Sequence, residues 1–198
     1  MPGALLELVA KGSQDIFLTG NPNTTYFRSV YKRHTNFSTE SIQQSIDGAP
    51  NFGTKFETEI SRSGDLLSSI IIEVDLPKLE GKRGKDIYWV DAIGHHLIKE
   101  VRIEIGEQEI DKHYGEWLEI WSELTMPESK RAGYNSMIGK GIQINEQRTL
   151  FIPLQFWFCR DYGLALPLIA LQYHTVKLII EFNSFDTCWK KEFSTYYL

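Results

Sequence analysis

Alternating hydrophobic and polar residues dominate the chain and predict β-strands. Between residues 52 and 60, Phe52, Phe56 and Ile60 share one face, and charged residues occupy the other. Because successive side chains of a strand point to opposite faces of a sheet, this period of two indicates a half-buried strand. The pattern returns over residues 66–76, and the polar turn between the two segments predicts a hairpin.

Further segments extend this β pattern. Residues 97–105 and 174–182 alternate again, whereas residues 150–158 are almost wholly apolar, as expected for a strand covered on both faces. A short return strand is predicted near residues 109–111, after the turn at Gly106. Six to eight strands separated by Gly, Pro and Asn turns are typical of an all-β sandwich or barrel.

One helix is predicted among the strands. Within residues 114–124, Trp117, Trp121 and Leu124 recur at i, i+4 and i+7, which places them on one helical face. We interpret this stripe as core-facing. The polar, glycine-containing residues 127–141 begin with a proline, which is expected to stop the helix, and they are predicted to form a long surface loop.

Composition and charge indicate which classes of partner the protein is not expected to bind. The 198 residues are 42% hydrophobic, which suits one β domain with a packed core. Acidic residues outnumber basic ones by 26 to 21, giving a net charge of −5. A nucleic-acid coat needs an excess of lysine and arginine, so we expect no direct contact with nucleic acid. No apolar run reaches the roughly 18 residues of a membrane span, so none is predicted.

Residues capable of catalysis or metal binding form no recognisable site in the sequence. His95 and His96 are adjacent, so on a strand they would point to opposite faces and could not share a metal ion. Asp111, His113 and Glu116 surround a predicted strand-to-helix junction, where a turn role is simpler than acid–base chemistry. We therefore predict no enzymatic activity, no cofactor and no bound metal.

Glutamates on the predicted helix are interpreted as a solvated helix surface and not as paired catalytic carboxylates, which must face each other across a cleft. They are Glu116, Glu119 and Glu123.

Six sequence blocks carry more specific information than the strand pattern. They are GSQDIFLTGNP at 12–22, YFR at 26–28, YKRHTNF at 31–37, SRSGDL at 61–66, GHHLIKEVRIEIGEQEIDKHYGEWLEIWSELT at 94–125 and PLQFWFCRDYGLALPLIALQYHTVKLIIEF at 153–182. In this order and spacing, the chain resembles the major capsid proteins of the iridovirus, phycodnavirus, marseillevirus and mimivirus group of large DNA viruses.

The resemblance implies an all-β fold, an antiparallel eight-stranded jelly-roll sandwich with one short inserted helix and an N-terminal arm. It divides the chain into an arm at 1–24, a jelly roll at 25–185 and a divergent tail at 186–198. The implied function is that of a structural subunit of an icosahedral viral capsid. Such a subunit would be assembled in the host cytoplasm and located in the virion.

The implied partners are other capsid subunits, as homo-oligomers that are trimers in the family, and minor capsid proteins. An inner membrane would be contacted only indirectly. Family members are more than twice as long and contain a second jelly roll. We therefore expect this chain to be a fragment, a split-gene product or a short paralogue with a minor structural role.

Two sets of residues are predicted to matter for assembly and stability. The arm is too apolar to remain in solvent, so we expect it to pack either against a neighbouring subunit or against its own barrel. Its candidate assembly contacts are Leu5, Leu8, Ile16, Phe17 and Leu18. The candidate core anchors are Trp117, Trp121, Phe156 and Trp157.

Two alternatives to a capsid subunit remain open. A carbohydrate-binding jelly-roll module is suggested by Tyr134 and Trp189, which we expect to be exposed aromatic side chains. A metal-dependent enzyme of the cupin type is disfavoured by the spacing of His95 and His96.

Overall fold

The computed structural model describes Gly12 and residues 35–80, 87–142 and 144–191. Contacts divide the chain into two units, Met1–Ser41 and Ile42–Leu198. In the first unit, residues 35–41 are exposed and belong to no helix or strand. All the elements below lie in the second unit.

Ten strands and three α-helices occur within the described residues. The strands are β1 (Lys55–Glu59), β2 (Leu66–Leu67), β3 (Ile71–Leu76), β4 (Ile87–Trp89), β5 (Ile98–Ile105), β6 (Gln108–Tyr114), β7 (Arg148–Pro153), β8 (Leu166–Pro167), β9 (Val176–Phe182) and β10 (Trp189–Lys191). The helices are α1 (Ile93–Leu97), α2 (Gly115–Thr125) and α3 (Glu128–Ile138). The fold is thus mostly β with few helices.

The largest sheet is four-stranded and antiparallel, in the order β1-β9-β5-β6. The apolar positions of its strands fall in register, so that Val101 pairs with Ile180 and Ile103 with Leu178. All four side chains are buried. The predicted strand near residues 97–105 and its return strand are confirmed as the β5–β6 hairpin.

The other strands of the described residues form three two-stranded antiparallel sheets, β3–β7, β2–β8 and β4–β10. The buried faces of these pairs join that of the four-stranded sheet in one hydrophobic core. Trp89, Phe156 and Phe158 are the largest fully buried side chains of this core.

The predicted hairpin between residues 52–60 and 66–76 is wrong. β1 pairs with β9, and the second segment is split into β2 and β3, which pair with β8 and β7. Phe56 instead meets Phe182 edge to face at 4.9 Å between ring centroids. A period of two determines which face of a strand is buried, but it does not determine which strand lies beside it.

The apolar residues 150–158 do not form one long strand. β7 ends at Pro153, which has no backbone N–H to continue the ladder, and a 3₁₀ turn follows at Trp157–Cys159.

The predicted surface loop at residues 127–141 is also wrong, because most of it is α3. Tyr134 and Ile138, spaced i and i+4, are buried beside Ala92. Pro127 precedes the first turn, and Gly139 ends the helix in the left-handed conformation at φ 74°. The single predicted helix is therefore corrected to three.

Within the described residues, no helix combines the length and apolar character that a bilayer-crossing segment needs.

Candidate functional site

The helix α2 begins directly after β6, in close contact with the start of β5. Gly115 is its first residue, and a Cβ atom there would overlap the backbone carbonyl oxygens of His95 and Ile98. Only glycine permits this approach, because a backbone neighbour cannot move aside as a flexible side chain can. Gly115 therefore fixes where α2 lies and which of its faces point inward.

The inner face of α2 differs from the predicted one. Leu118 is fully buried and Ser122 is 6% exposed, whereas Leu124 is 78% exposed. Trp117 and Trp121 are each partly exposed. The stripe of Trp117, Trp121 and Leu124 is therefore not the core-facing surface, because the contact at Gly115 turns Leu118 inward instead.

A buried polar network joins the three helices. The ring of His95, 2% exposed, bonds Glu119 through Nδ1 at 2.6 Å and the Tyr134 hydroxyl through Nε2 at 2.9 Å. Burial lowers the pKa of His95, although hydrogen bonding to Glu119 acts in the opposite direction. The neutral ring donates its Nδ1–H to the carboxylate and accepts the Tyr134 proton at Nε2. Burial also raises the pKa of Tyr134 to about 12.

This network continues outward through charged side chains. Lys140 donates hydrogen bonds to both Glu119 and Glu123, and Arg131 bonds Glu123 at 3.0 Å and Glu128 at 2.9 Å. Burial acts to raise the pKa of Glu119, but hydrogen bonds from Lys140 and His95 outweigh it and hold that pKa below its usual value. Glu116 and Glu123 are exposed, as predicted, whereas Glu119 is partly buried, and ion pairs hold both Glu119 and Glu123.

The outer face of α2 presents apolar side chains to solvent. Ile120 is 54% exposed and lies with Leu124 at i and i+4. The Trp117 and Trp121 rings are 5.5 Å apart between centroids, and the Arg160 guanidinium lies 4.3 Å from the Trp121 centroid. We call Trp117, Ile120, Trp121 and Leu124 the outer stripe. Tryptophan with arginine is the combination enriched in the energetic centres of protein interfaces.

The other predicted site residues are distributed as follows. Phe156 is fully buried and stacks on Phe158, whereas Trp157 is partly exposed and meets Phe158 edge on. Leu5, Leu8, Ile16, Phe17 and Leu18 lie outside the described residues.

The aromatic side chains that suggested carbohydrate binding are not exposed platforms. Tyr134 is 7% exposed and bonded to His95, and Trp189 is partly buried opposite Trp89 in the β4–β10 pair. The observation behind that alternative is therefore overturned by the packing of α3 and β10.

The adjacent histidines lie on α1, a short helix that the sequence did not predict. His95 points inward, while the exposed ring of His96 bonds the backbone carbonyl of Thr187 at 3.0 Å. In the part of the chain that the structure describes, no group of three or more His, Cys, Asp or Glu side chains is placed to hold a metal ion.

The structure also has a second apolar surface, which was not predicted from the sequence. Around the short β2–β8 pair, Leu66, Leu164 and Ile169 are between 50% and 61% exposed. Nearby along the chain, Tyr162 and Tyr173 are 81% and 93% exposed. These residues do not alternate with polar ones, so the period-two pattern does not predict that they form a surface.

Comparison with known proteins finds similarity to viral coat proteins. The family model described as "Major capsid protein N-terminus" matches residues 25–195. The major capsid protein of Pyramimonas orientalis virus is 50% identical over 192 residues, which cover 92% of this chain and 47% of that protein. The major capsid protein of Paramecium bursaria Chlorella virus 1 is 46% identical over 180 residues, covering 90% and 40% respectively.

Solved structures agree with the sequence matches. The crystal structure of PBCV-1 VP54, fitted into a cryo-EM reconstruction of the virophage Sputnik, superposes with a TM-score of 0.70 at 41% identity. That match covers 81% of this chain and 38% of the other. The chain thus spans less than half the length of these relatives.

Proposed function

Because the chain belongs to the family of viral major capsid proteins, we propose that it is a structural subunit of the icosahedral capsid of a large DNA virus. The observation that carries this proposal is 50% identity extending over 92% of the chain. Such a subunit resides in the virion and is assembled in the host cytoplasm. A structural role is preferred to a catalytic one because the similar proteins are capsid proteins.

We also propose that the fold is a jelly-roll sandwich with eight principal strands. All six strand pairings in the described residues are antiparallel, as a jelly roll requires. A jelly roll also places strands that are far apart in sequence side by side. The pairing of β1 with β9 is of this kind and supports the proposal. The superposition on PBCV-1 VP54 supports the same architecture.

The proposed partners are further copies of the chain, in trimers, together with minor capsid proteins. The outer stripe supports this proposal, because partly exposed tryptophan beside arginine is typical of protein interfaces. Contact with an inner membrane is proposed to be indirect, and contact with nucleic acid is not proposed, given the net charge of −5.

Self-association of the purified chain tests the proposal. Sedimentation velocity over a concentration series should reveal oligomers, with trimers as the expected species. Leu124→Ser should shift the distribution towards monomers without lowering thermal stability, because Leu124 is 78% exposed. Tyr173→Ser serves as a control, since Tyr173 is 93% exposed and belongs to no part of the outer stripe. Monomers at all concentrations, together with absence from purified virions by mass spectrometry, would contradict the proposal.

We propose that the arm at residues 1–24 contributes to the same assembly through Leu5, Leu8, Ile16, Phe17 and Leu18. Deleting residues 1–24 should weaken association while leaving the thermal midpoint nearly unchanged. If the deletion abolishes folding instead, the arm belongs to the core of its own chain, and this part of the proposal is wrong.

A further inference from the structure

Few buried side chains attach the helix α3 to the rest of the protein. Of its eleven residues, only Tyr134 and Ile138 are buried. They pack with Ala92 and the partly buried Met126 in a cluster that is separate from the main hydrophobic core. Elements with few buried apolar contacts open locally at a lower free energy than that of global unfolding. Local opening of α3 is therefore expected to depend strongly on its polar contacts.

A buried hydrogen bond links α3 to α1. The Tyr134 hydroxyl donates to His95 Nε2 at 2.9 Å, and His95 Nδ1 donates to the Glu119 carboxylate of α2 at 2.6 Å. Lys140, two residues beyond α3, also faces this ring and itself bonds Glu119. The groups around the imidazole are thus one hydroxyl, one carboxylate and one ammonium group.

Protonation of His95 would break the pattern of donors and acceptors at this ring. A neutral imidazole has one N–H and one acceptor nitrogen, whereas a protonated ring has an N–H on both nitrogens. The protonated ring could no longer accept the Tyr134 proton, and within the described part of the chain that hydroxyl has no other hydrogen-bond acceptor. A buried donor without an acceptor destabilises the packing that encloses it. Protonation would also place a second positive charge near Lys140.

We propose that protonation of His95 releases α3, so that this helix opens locally in acid while the four-stranded sheet stays folded. Burial lowers the pKa of His95, although the hydrogen bond to Glu119 acts in the opposite direction. When α3 opens, the ring reaches water and its pKa returns towards the ordinary value of 6.5. Below pH 6.5 the open form therefore binds more protons than the closed form. The equilibrium constant for opening rises by up to about tenfold per pH unit, until the pKa of the closed form is reached.

The other titratable groups at the ring act outside this pH range. Burial acts to raise the pKa of Glu119, but hydrogen bonds from Lys140 and His95 hold it below 4.5. A carboxylate of this kind stabilises the closed form above pH 4.5 and loses that contribution only as the pH falls further. Lys140 and Tyr134, whose pKa values are raised, titrate far above neutral pH. Between pH 7.5 and 5.5, His95 is therefore the group at this junction whose titration favours opening.

Hydrogen exchange of the whole chain tests the proposal. Amide exchange is measured at pH 7.5, 6.5 and 5.5, corrected for the intrinsic rate at each pH, and compared between α3 and β9. We expect the α3 amides to be less protected than the β9 amides at each pH. From pH 6.5 to 5.5, protection of α3 should fall by up to about tenfold, the limit for uptake of one proton on opening. Low concentrations of urea should change α3 protection little, because a local opening exposes little surface.

Variants identify the titrating group. His95→Gln removes the imidazole, so protection of α3 should no longer depend on pH between 6.5 and 5.5. His96→Gln is the matched control, because His96 is exposed on the same helix and bonds the backbone carbonyl of Thr187. It should keep the pH dependence of the parent protein. The pH series of the parent protein tests the proposal even if His95→Gln does not fold.

Each outcome bears on the proposal. Protection of α3 that is lower than that of β9, falls with pH and becomes independent of pH in His95→Gln supports it. Equal protection of α3 and β9 at every pH would mean that the helix opens only when the whole protein unfolds, which overturns it. Protection of α3 that stays constant from pH 7.5 to 5.5, or that falls equally in His95→Gln, overturns it as well. These results concern the contacts of one helix and leave the proposed capsid role unaffected.

Discussion

The four-stranded sheet and the cluster of helices α1, α2 and α3 bury their side chains by different means. In the sheet, neighbouring strands bring apolar residues together, as with Val101 beside Ile180. In the helical cluster, His95 is almost fully buried, and both of its ring nitrogens are paired with other polar side chains.

This difference predicts that the stability of the two regions responds to different kinds of change. An apolar residue contributes roughly in proportion to the area it removes from water, so the sheet should respond to changes of volume. A buried polar group depends on its particular partner, and removal of either one leaves the other unsatisfied. The helical cluster should therefore respond to pH and to charge as well as to shape.

The largest effect is expected where a buried aromatic ring is removed from the core. Phe156→Ala should lower the free energy of unfolding by roughly 3–5 kcal/mol, because the ring is fully buried and stacked on Phe158. Phe151→Ala, at a residue 40% exposed on β7, should cost less than about 1 kcal/mol. Urea denaturation measures both, and equal costs would show that burial does not set the stability of this region.

A glycine pair tests the geometry of the helical cluster. Gly115→Ala should destabilise by about 3 kcal/mol, because the new methyl group meets backbone carbonyl oxygens that cannot move aside. Gly133→Ala, in the exposed middle of α3 with no atom within 4 Å of the added Cβ, should stabilise by roughly 0.5–1 kcal/mol. Thermal melts of the two variants should shift in opposite directions, and a tolerated alanine at 115 would refute the close approach.

Two buried histidines, one in the polar network and one on β6, should make stability depend on pH. His95 and His113 both have pKa values lowered below 6.5 by burial. As the pH falls below 6.5, the unfolded chain takes up protons before the folded protein does. The free energy of unfolding therefore falls, by at most about 1.4 kcal/mol per pH unit for each histidine, until the folded-state pKa is reached. Above pH 6.5 this contribution is fully present.

Denaturation at pH 7.5, 6.5 and 5.5 measures this slope. His95→Gln should reduce it, whereas His96→Gln, at an exposed residue of the same helix, should keep the slope of the parent protein. An unchanged slope in His95→Gln would mean that the buried imidazole is not the group that links protonation to folding.

The positions of the strands could be predicted from the sequence more successfully than their pairing. Alternation located β5 and β9 because the period of two within a strand depends only on which face of that strand is buried. The pairing of β1 with β9 could not be predicted, since it joins residues more than a hundred positions apart and local turn signals suggested a nearer partner. Alternation predicted an all-β sandwich or barrel, and the family resemblance narrowed this prediction to a jelly roll.

The site was predictable only in outline. The helical period located α2, but a helix with apolar residues on two faces does not reveal which face is inside, and the contact at Gly115 decides it. The bonds from His95 to Glu119 and Tyr134 span 24 and 39 residues and carry no pattern in the sequence. Unpartnered atoms such as Trp117 Nε1 emerge only once the fold is known.

The smallest effect is expected at the residue where sequence and structure disagree most directly. If Trp121 were a core anchor, as its spacing suggests, Trp121→Ala would cost roughly 3–5 kcal/mol. Trp121 is partly exposed, and its ring contacts the Trp117 ring and the Arg160 guanidinium. A cation–π contact near a surface contributes only about 0.5–1 kcal/mol, so we expect a loss of about 1 kcal/mol in urea denaturation of the monomer. Trp121→Phe keeps an aromatic face under Arg160 and should recover most of that loss. If Trp121→Ala costs as much as Phe156→Ala, the outer stripe belongs to the core. The principal structural support for an assembly surface on α2 would then be lost.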